Sequence, residues 1–232
     1  MDYLMTFIVA MDGPAGTGKS SVARSIAKEL GFVYVDTGAI YRALAYLAKK
    51  FHIDSFDADA VLTLVPKIKL VIDDEHTSKI QADGQLLDAE LRDEEFSRLS
   101  SVVSQHPKVR QALLSLQRNF PQKNEEGAII EGRDIGTVVF PDADVKIFIS
   151  ANSETRALRR HQELLKIGQQ ASFEEVHDAI RKRDERDKNR SNAPMQKATD
   201  AIIIDTSDMT LSEVIDHTLG IVKKSLAQRG TP

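Results

Sequence analysis

The sequence predicts an α/β fold, a doubly wound parallel sheet with a small antiparallel insert and a helical lid. Three observations point there. Short apolar runs of strand length alternate with helical stretches along most of the chain, the pattern of a parallel sheet covered by helices on both faces. The first of these runs enters a glycine-rich loop and leaves it as a helix. From Pro66 to Asp88 the pattern changes to alternation around Asp83-Gly84, a two-residue hairpin signal that marks an insertion with its own small sheet.

The elements follow in order. Phe7 to Met11 is the first strand, and Ser21 to Leu30 carries Val22, Ala23, Ile26, Ala27 and Leu30 at helical spacing. Gly31 stands in the usual C-terminal position of that helix. Phe32 to Val35 reads as a second buried strand, and Asp36 to Arg42 opens a helix through about Phe51. Asp57 is placed to cap a short helix from Ala58 to Val65. In the insert, Ile68, Leu70 and Ile72 alternate with Lys67, Lys69, Val71 and Asp73. Helices are expected over Asp93 to Ser104 and, with proline at its start, Pro107 to Phe120. A loop from Pro121 to Gly127 precedes the strand Ala128 to Ile130, and Val145 to Ile149 is the next strand. Ser153 is expected to cap a helix to about Ile167, and Ser172 with Glu175 has capping-box spacing for a helix towards Arg190. Ile202 to Ile204 is the last strand, and Thr210 with Glu213 opens a C-terminal helix to about Gln228. The sequence contains no internal repeat, low-complexity tract or long linker.

The chemistry starts at Gly13-Pro14-Ala15-Gly16-Thr17-Gly18-Lys19-Ser20, which fits the phosphate-binding pattern G-x-x-x-x-G-K-[ST] with strand before and helix after. Such a loop aims backbone N–H groups at one point, where the helix N-terminus adds partial positive charge. Gly13 to Ser20, with Ser21 behind them, are expected to hold nucleoside triphosphate, Lys19 reaching the outer phosphates and Ser20 ligating Mg²⁺. In open parallel sheets ligands bind beyond the carboxyl ends of the strands. Two further polar clusters fall there, Asp36 to Arg42 and Glu131 to Asp134, and each brings an arginine, Arg42 and Arg133. An arginine fork pairs bidentately with phosphate, so the pair suggests a second anionic substrate. Further on, Arg183, Arg186, Asp187 and Arg190 share one helix face, and Arg156, Arg159 and Arg160 crowd the preceding helix. Two arginine-bearing helices around a glycine-containing turn, Lys166 to Ala171, make a lid that would bring charge to a transferring phosphoryl group and exclude water. Lys19, Arg133, Arg159 and Arg190 are the expected catalytic cations.

Composition narrows the class. Of 232 residues, 41% are hydrophobic and 28% charged, as in a protein that buries a full core. A net charge of −4 argues against a nucleic-acid coating protein. Without cysteine there are neither disulfides nor thiolate metal sites. No apolar stretch reaches membrane-spanning length, and the first residues lack a basic segment followed by an apolar one, so a soluble cytoplasmic protein is expected. Met5 is a candidate alternative start, since Met1 to Leu4 precede the first strand. Two other classes share the phosphate loop. A kinase of a small metabolite needs a base for a neutral hydroxyl, and a GTP-binding switch needs an N-K-x-D motif that this sequence does not contain.

DGPAGTGKS, VDTGAIYRAL, EGRDIGTVVFPDADVKIF and RDERDKNR, in that order, resemble the successive signatures of bacterial-type cytidylate kinases. The resemblance runs from Phe7 to about Ala227. It implies a phosphate-loop fold of the nucleoside monophosphate kinase kind, and the reaction ATP + CMP (or dCMP) giving ADP + CDP (or dCDP) with Mg²⁺. It also implies one unit in three parts: a core roughly over 1–36, 121–155 and 200–232, a monophosphate-binding region over 37–120 and a lid over 156–190. By resemblance, Thr37, Arg42 and Arg133 surround the monophosphate, the family often having serine in the place of Thr37. Ser101, Arg110 and Asp134 match cytosine-reading positions, Arg183 and Asp187 face the sugar, and Arg190 lies near the transferring phosphate. Asp36, Glu131 and Asp134 all stay open as the carboxylate that holds a metal-bound water. The expected partners are ATP and CMP or dCMP alone, with neither nucleic acid nor membrane, and the protein is expected to act as a monomer.

Overall fold

A computed structural model describes residues 6–121, 126–166 and 168–229. The candidate start at Met5, part of the loop before Gly127 and Ile167 of the lid turn lie outside them.

The chain runs β1 (Ile8–Asp12), α1 (Lys19–Leu30), β2 (Val33–Asp36), α2 (Thr37–Lys50) and α3 (Ala58–Leu62). The antiparallel strands β3 (Ile68–Ile72), β4 (Ser78–Ala82) and β5 (Gln85–Leu87) come next, then α4 (Glu94–Val103) and α5 (Pro107–Asn119). β6 (Ala128–Gly132), β7 (Val145–Ser150), α6 (Ser153–Lys166), α7 (Phe173–Asn189), β8 (Ile202–Asp205) and α8 (Leu211–Arg229) complete it. The main sheet has five strands in the order β2-β6-β1-β7-β8, every pair parallel. β1 is therefore flanked by two strands that follow it much later in the chain. The gap its connection crosses is the switch point at which such sheets bind ligands.

β1 and β6, in the middle of the sheet, are buried on both faces, as their unbroken apolar runs require, whereas the edge strand β8 is mostly exposed. Val9, Met11, Tyr34, Ile129 and Ile147 pack beneath α1 and α8, and Ala10, Val33, Val35 and Ile130 pack on the other face with Ile135 and Val139. A separate cluster joins Ile40, Leu44 and Leu47 of α2 to Ile80, Val103 and Leu113. A fourth, Ala157, Leu164, Val176 and Ile180, holds α6 against α7.

Both capping boxes form: Ser172 and Glu175 exchange hydrogen bonds at the start of α7, and Thr210 and Glu213 do so before α8. The cap of α6 differs from expectation. Asn152, one residue earlier than Ser153, accepts from the Thr155 N–H at 2.7 Å, because an Asn side chain there reaches the N3 amide. α3 stops at Leu62, and a 3-10 turn over Val65–Lys67 with Pro66 in it feeds β3. Beyond β6 the chain makes one π turn, Ile135–Val139. The buried Asp12 carboxylate accepts from its Ile135 and Gly136 N–H groups at 2.8 Å each. Burial pushes the Asp12 carboxyl up to about 6, against the lowering effect of those two hydrogen bonds. Among the described residues no helix is long and apolar enough to cross a membrane.

Candidate active site

The phosphate loop leaves β1 at Gly13, whose φ is +145°. A Cβ there would sit 2.0 Å from the Ile149 carbonyl oxygen of β7, so only glycine lets the loop stem lie against its neighbouring strand. Gly18 precedes α1 in the left-handed region with no side-chain cap, which leaves the first-turn N–H groups of α1 for a ligand. In the ligand-free loop the Lys19 ammonium donates to the Pro14 carbonyl at 2.6 Å. Burial and the nearby Arg133 guanidinium push Lys19 down to about 7, partly offset by Glu131.

Ala15 to Ser21 line one cleft of about 300 Å³ together with Thr37, Arg42, Ser101, Arg110, Arg133, Asp134, Arg183, Asp187 and Arg190. All the acceptor-side residues singled out from sequence thus meet the phosphate loop. Lys19 and six arginines face five carboxylates there, an excess of positive charge suited to two phosphate-bearing molecules. A wider groove of about 1120 Å³ opens beside it between α4 and the lid helices, sharing Ala15, Ser97, Arg160, Arg183 and Arg190 with the cleft.

The charges are paired across elements. Asp36 caps α2 by accepting from Ala39 and bridges Arg42 at 2.6 Å. Burial pushes the Asp36 carboxyl up, and Arg42, the Ala39 N–H and Arg133 together more than offset it, so it stays below its usual range. Arg133 donates from Nε to Asp187 of α7 at 3.0 Å. Asp134 is 5% exposed and holds two guanidinium groups, Arg110 through Oδ2 and Arg190 at 3.2 Å through Oδ1. Its neighbour Arg133 is not its partner. Arg110 also stacks over the Tyr41 ring, 5.4 Å from its centre. Arg183 donates to Ser97 of α4 at 2.9 Å, and burial and Arg133 lower it to about 10. The Ser101 hydroxyl is buried with no hydrogen-bond partner among the described residues.

Of the three carboxylates left open by sequence, Asp36 and Asp134 are committed to arginines. Glu131 is the exception. Its Oε1 accepts from the Tyr34 hydroxyl at 2.6 Å, and its Oε2 is buried without a partner. The Ser20 side chain lies beside this carboxyl group, whose pKa is raised by burial and by Asp36. Among the described residues no three His, Asp or Glu side chains cluster as a metal cage. That fits Mg²⁺ bound with nucleotide, which keeps waters and takes phosphate oxygens with one or two protein ligands.

One lid expectation differs from the structure. Arg159 does not line the cleft: its guanidinium donates to Thr206 Oγ1 at 3.0 Å and to the Thr206 carbonyl at 2.6 Å, at the end of β8. It sits about 100° around α6 from Arg160, which does line the cleft and pairs with Glu94 and Glu163. Arg186 faces the wider groove instead of the cleft. Arg156, grouped by sequence with the other arginines of its helix, has contacts that the sequence did not show. Its buried guanidinium donates to the Ala15 carbonyl of the phosphate loop at 3.1 Å and pairs with Asp184 of α7 at 2.7 Å. The triplet RDE in a charged helix gave no sign that Asp184 points inward while Arg183 turns to the cleft.

A phosphate loop at the switch point of a five-stranded parallel sheet, with a second arginine cradle facing it and a helical lid, defines a phosphate-loop kinase. The profile of the family described as cytidylate kinase matches residues 9–224. A cytidylate kinase of Citrifermentans bemidjiense is 42% identical over 222 residues, covering 95% of this chain and 94% of that protein. One from Mycobacterium leprae is 43% identical over 217 residues, covering 94% and 96%. An uncharacterized protein of Eubacterium ventriosum, of known crystal structure, shares the fold with a TM-score of 0.51 at 12% identity, covering 96% of this chain and 99% of that one. The chain belongs to the cytidylate kinase family.

Proposed function

We propose that the protein transfers the γ-phosphoryl group of ATP to CMP or dCMP, giving ADP and CDP or dCDP, with Mg²⁺. The observation that carries this reading is the meeting in one cleft of the phosphate loop, the Arg42 and Arg133 pair, and the Ser101, Arg110 and Asp134 group. ATP phosphates take the first-turn amides of α1, and Lys19 moves from the Pro14 carbonyl to their oxygens. Ser20 and Glu131 would hold the metal, Glu131 through a bound water. Magnesium supplies neutralisation of the charge shared by the β- and γ-phosphates.

Arg42 and Arg133 hold the monophosphate, with Thr37 beside them. One of its ionised oxygens forms the new bond to the γ-phosphorus in line, and the bond to the bridging oxygen of ADP breaks. No protein nucleophile and no base is needed, so positioning and charge carry the rate. Arg190, at the acceptor end of α7, and Arg133 neutralise the transferring oxygens, while Arg183 and Asp187 take the sugar. Asp134 accepts from the cytosine amino group with lone pairs left over from its two arginines. An acceptor with a neutral hydroxyl would need a free carboxylate base; Asp36, Asp134 and Asp187 all pair with arginines, and the remaining carboxylate, Glu131, lies beside Ser20 on the metal side. We extend the three-part division to this chain on the separate apolar clusters of α2 with the insert and of α6 with α7. Action as a monomer in the cytoplasm belongs to the same proposal, since one chain supplies every cleft residue named. ADP production measured with CMP, dCMP, UMP and AMP in turn tests it. CMP or dCMP must be the best acceptor, and a faster reaction with AMP or UMP would reject the reading.

A further inference from the structure

We propose that Tyr34 is a positioning residue for the metal-dependent step, its buried hydroxyl fixing the Glu131 carboxylate so that the second oxygen is kept for the metal side. The inference rests on the reading of Glu131 given above. Tyr34 stands in an apolar strand, VYVD, and is 2% exposed. A buried phenol needs a hydrogen-bond partner, and the register decides which. Tyr34 of β2 lies opposite Ile129 of β6, so Glu131 is its diagonal neighbour on the same sheet face, within reach of an aromatic side chain. The hydroxyl donates to Glu131 Oε1 at 2.6 Å and leaves Oε2 as the buried, unpartnered oxygen.

Helix α1 repeats this spacing from above. Ser20 lies beside the Glu131 carboxyl group, and Arg24, one turn on, stacks its guanidinium 5.2 Å from the centre of the Tyr34 ring. The other side of Tyr34 is fixed through its backbone N–H, which donates at 2.9 Å to the His76 carbonyl in the antiparallel insert. Tyr34 is thus held at its ring by α1, at its hydroxyl by β6 and at its backbone by the insert, and its one side-chain polar atom donates to one oxygen of Glu131. A phenylalanine would fill the same space and satisfy the core equally well. What it would lose is the orientation of the carboxylate.

The experiment uses Mn²⁺ as the probe, titrated into the full protein with a non-hydrolysable ATP analogue and followed by the spectroscopic signal of free Mn²⁺. Binding of the analogue without metal is measured by calorimetry. For Tyr34→Phe, Mn²⁺ affinity in the ternary complex is expected to fall about tenfold, the low end for loss of an outer hydrogen-bond partner. Metal-free binding of the analogue should stay unchanged. Glu131→Gln should lose at least as much, and the double variant no more than Glu131→Gln alone. Unchanged Mn²⁺ affinity in Tyr34→Phe beside a weakened Glu131→Gln overturns the role of Tyr34 and leaves that of Glu131 standing. An equal loss of metal-free binding in Tyr34→Phe means that the phenol only supports packing, and also overturns the proposal. Full Mn²⁺ affinity in Glu131→Gln removes the reading of Glu131 and this inference with it.

Discussion

Lys19 waits in the ligand-free loop as a buried cation among cations, and its pKa of about 7 has a measurable sign. Near pH 8 the free site is mostly neutral at Lys19, and the charge of a bound triphosphate favours the ammonium. Metal-free ATP binding at pH 8 should therefore take up a proton, and below pH 6, where Lys19 is already charged, the uptake should vanish. Calorimetry in buffers of different ionisation enthalpy reads this directly, and uptake that persists in Lys19→Met would assign it elsewhere. The same shift runs against stability. A lysine whose folded pKa is depressed costs most below about pH 7 and ceases to cost as pH rises towards its unfolded value of 10.5. Lys19→Met should thus melt higher than the unaltered protein at pH 6. It should still lose roughly 3 kcal/mol or more of transition-state stabilisation, seen as a fall of a hundredfold or more in kcat. On the acceptor side, Arg42→Ala and Arg133→Ala should raise the Kd for CMP far more than that for ATP. An equal loss of ATP affinity would move these arginines to the donor site.

At the scale of elements, the local signals were the legible ones. The strand–loop–helix of the phosphate site, the Asp83-Gly84 hairpin and the capping boxes at Ser172 and Thr210 each depend on a few adjacent residues, and each formed. The Tyr34–Glu131 contact depends on the register of two strands about a hundred residues apart in sequence, and nothing local encodes it. The role of Arg159 failed for a related reason. Arg156, Arg159 and Arg160 stand at i, i+3 and i+4 on one helix face, and only packing decides that Arg156 and Arg160 turn to the loop and the cleft while Arg159 turns to Thr206. Arg156 makes a testable joint, since one guanidinium ties the phosphate loop to α7 through Ala15 and Asp184. Arg156→Met strands the buried Asp184 carboxylate and should destabilise the protein by about 3 kcal/mol in urea unfolding. Adding Asp184→Asn should recover part of that loss. A double variant that is worse by the full sum of the single effects would show that the two side chains act apart.

Across the whole molecule, two ion pairs and one hydrogen bond that tie α7 and its C-cap to the rest of the chain meet at the cleft. Arg133 to Asp187 and Asp134 to Arg190 join the end of β6 to the lid, and Arg183 to Ser97 joins the lid to α4. In the proposed reaction substrate exchanges with these contacts, so the cleft carries the charges it needs close to where they act. In the proposed reaction this assembly selects cytosine through Asp134. Cytosine offers an amino donor where uracil offers a carbonyl, and a buried charged group left without its partner costs about 1–3 kcal/mol or more. Asp134 also holds Arg110 and Arg190, so weakening those contacts alone would slow CMP and UMP alike. The ratio of the two separates the roles. The most direct measurement is kcat/KM for CMP and for UMP in the unaltered protein and in Asp134→Asn, whose amide can turn to donate to the uracil carbonyl. The CMP-to-UMP ratio is expected to narrow by about tenfold or more, mainly through lost CMP activity. Equal proportional losses with both nucleotides, leaving the ratio unchanged, would contradict it.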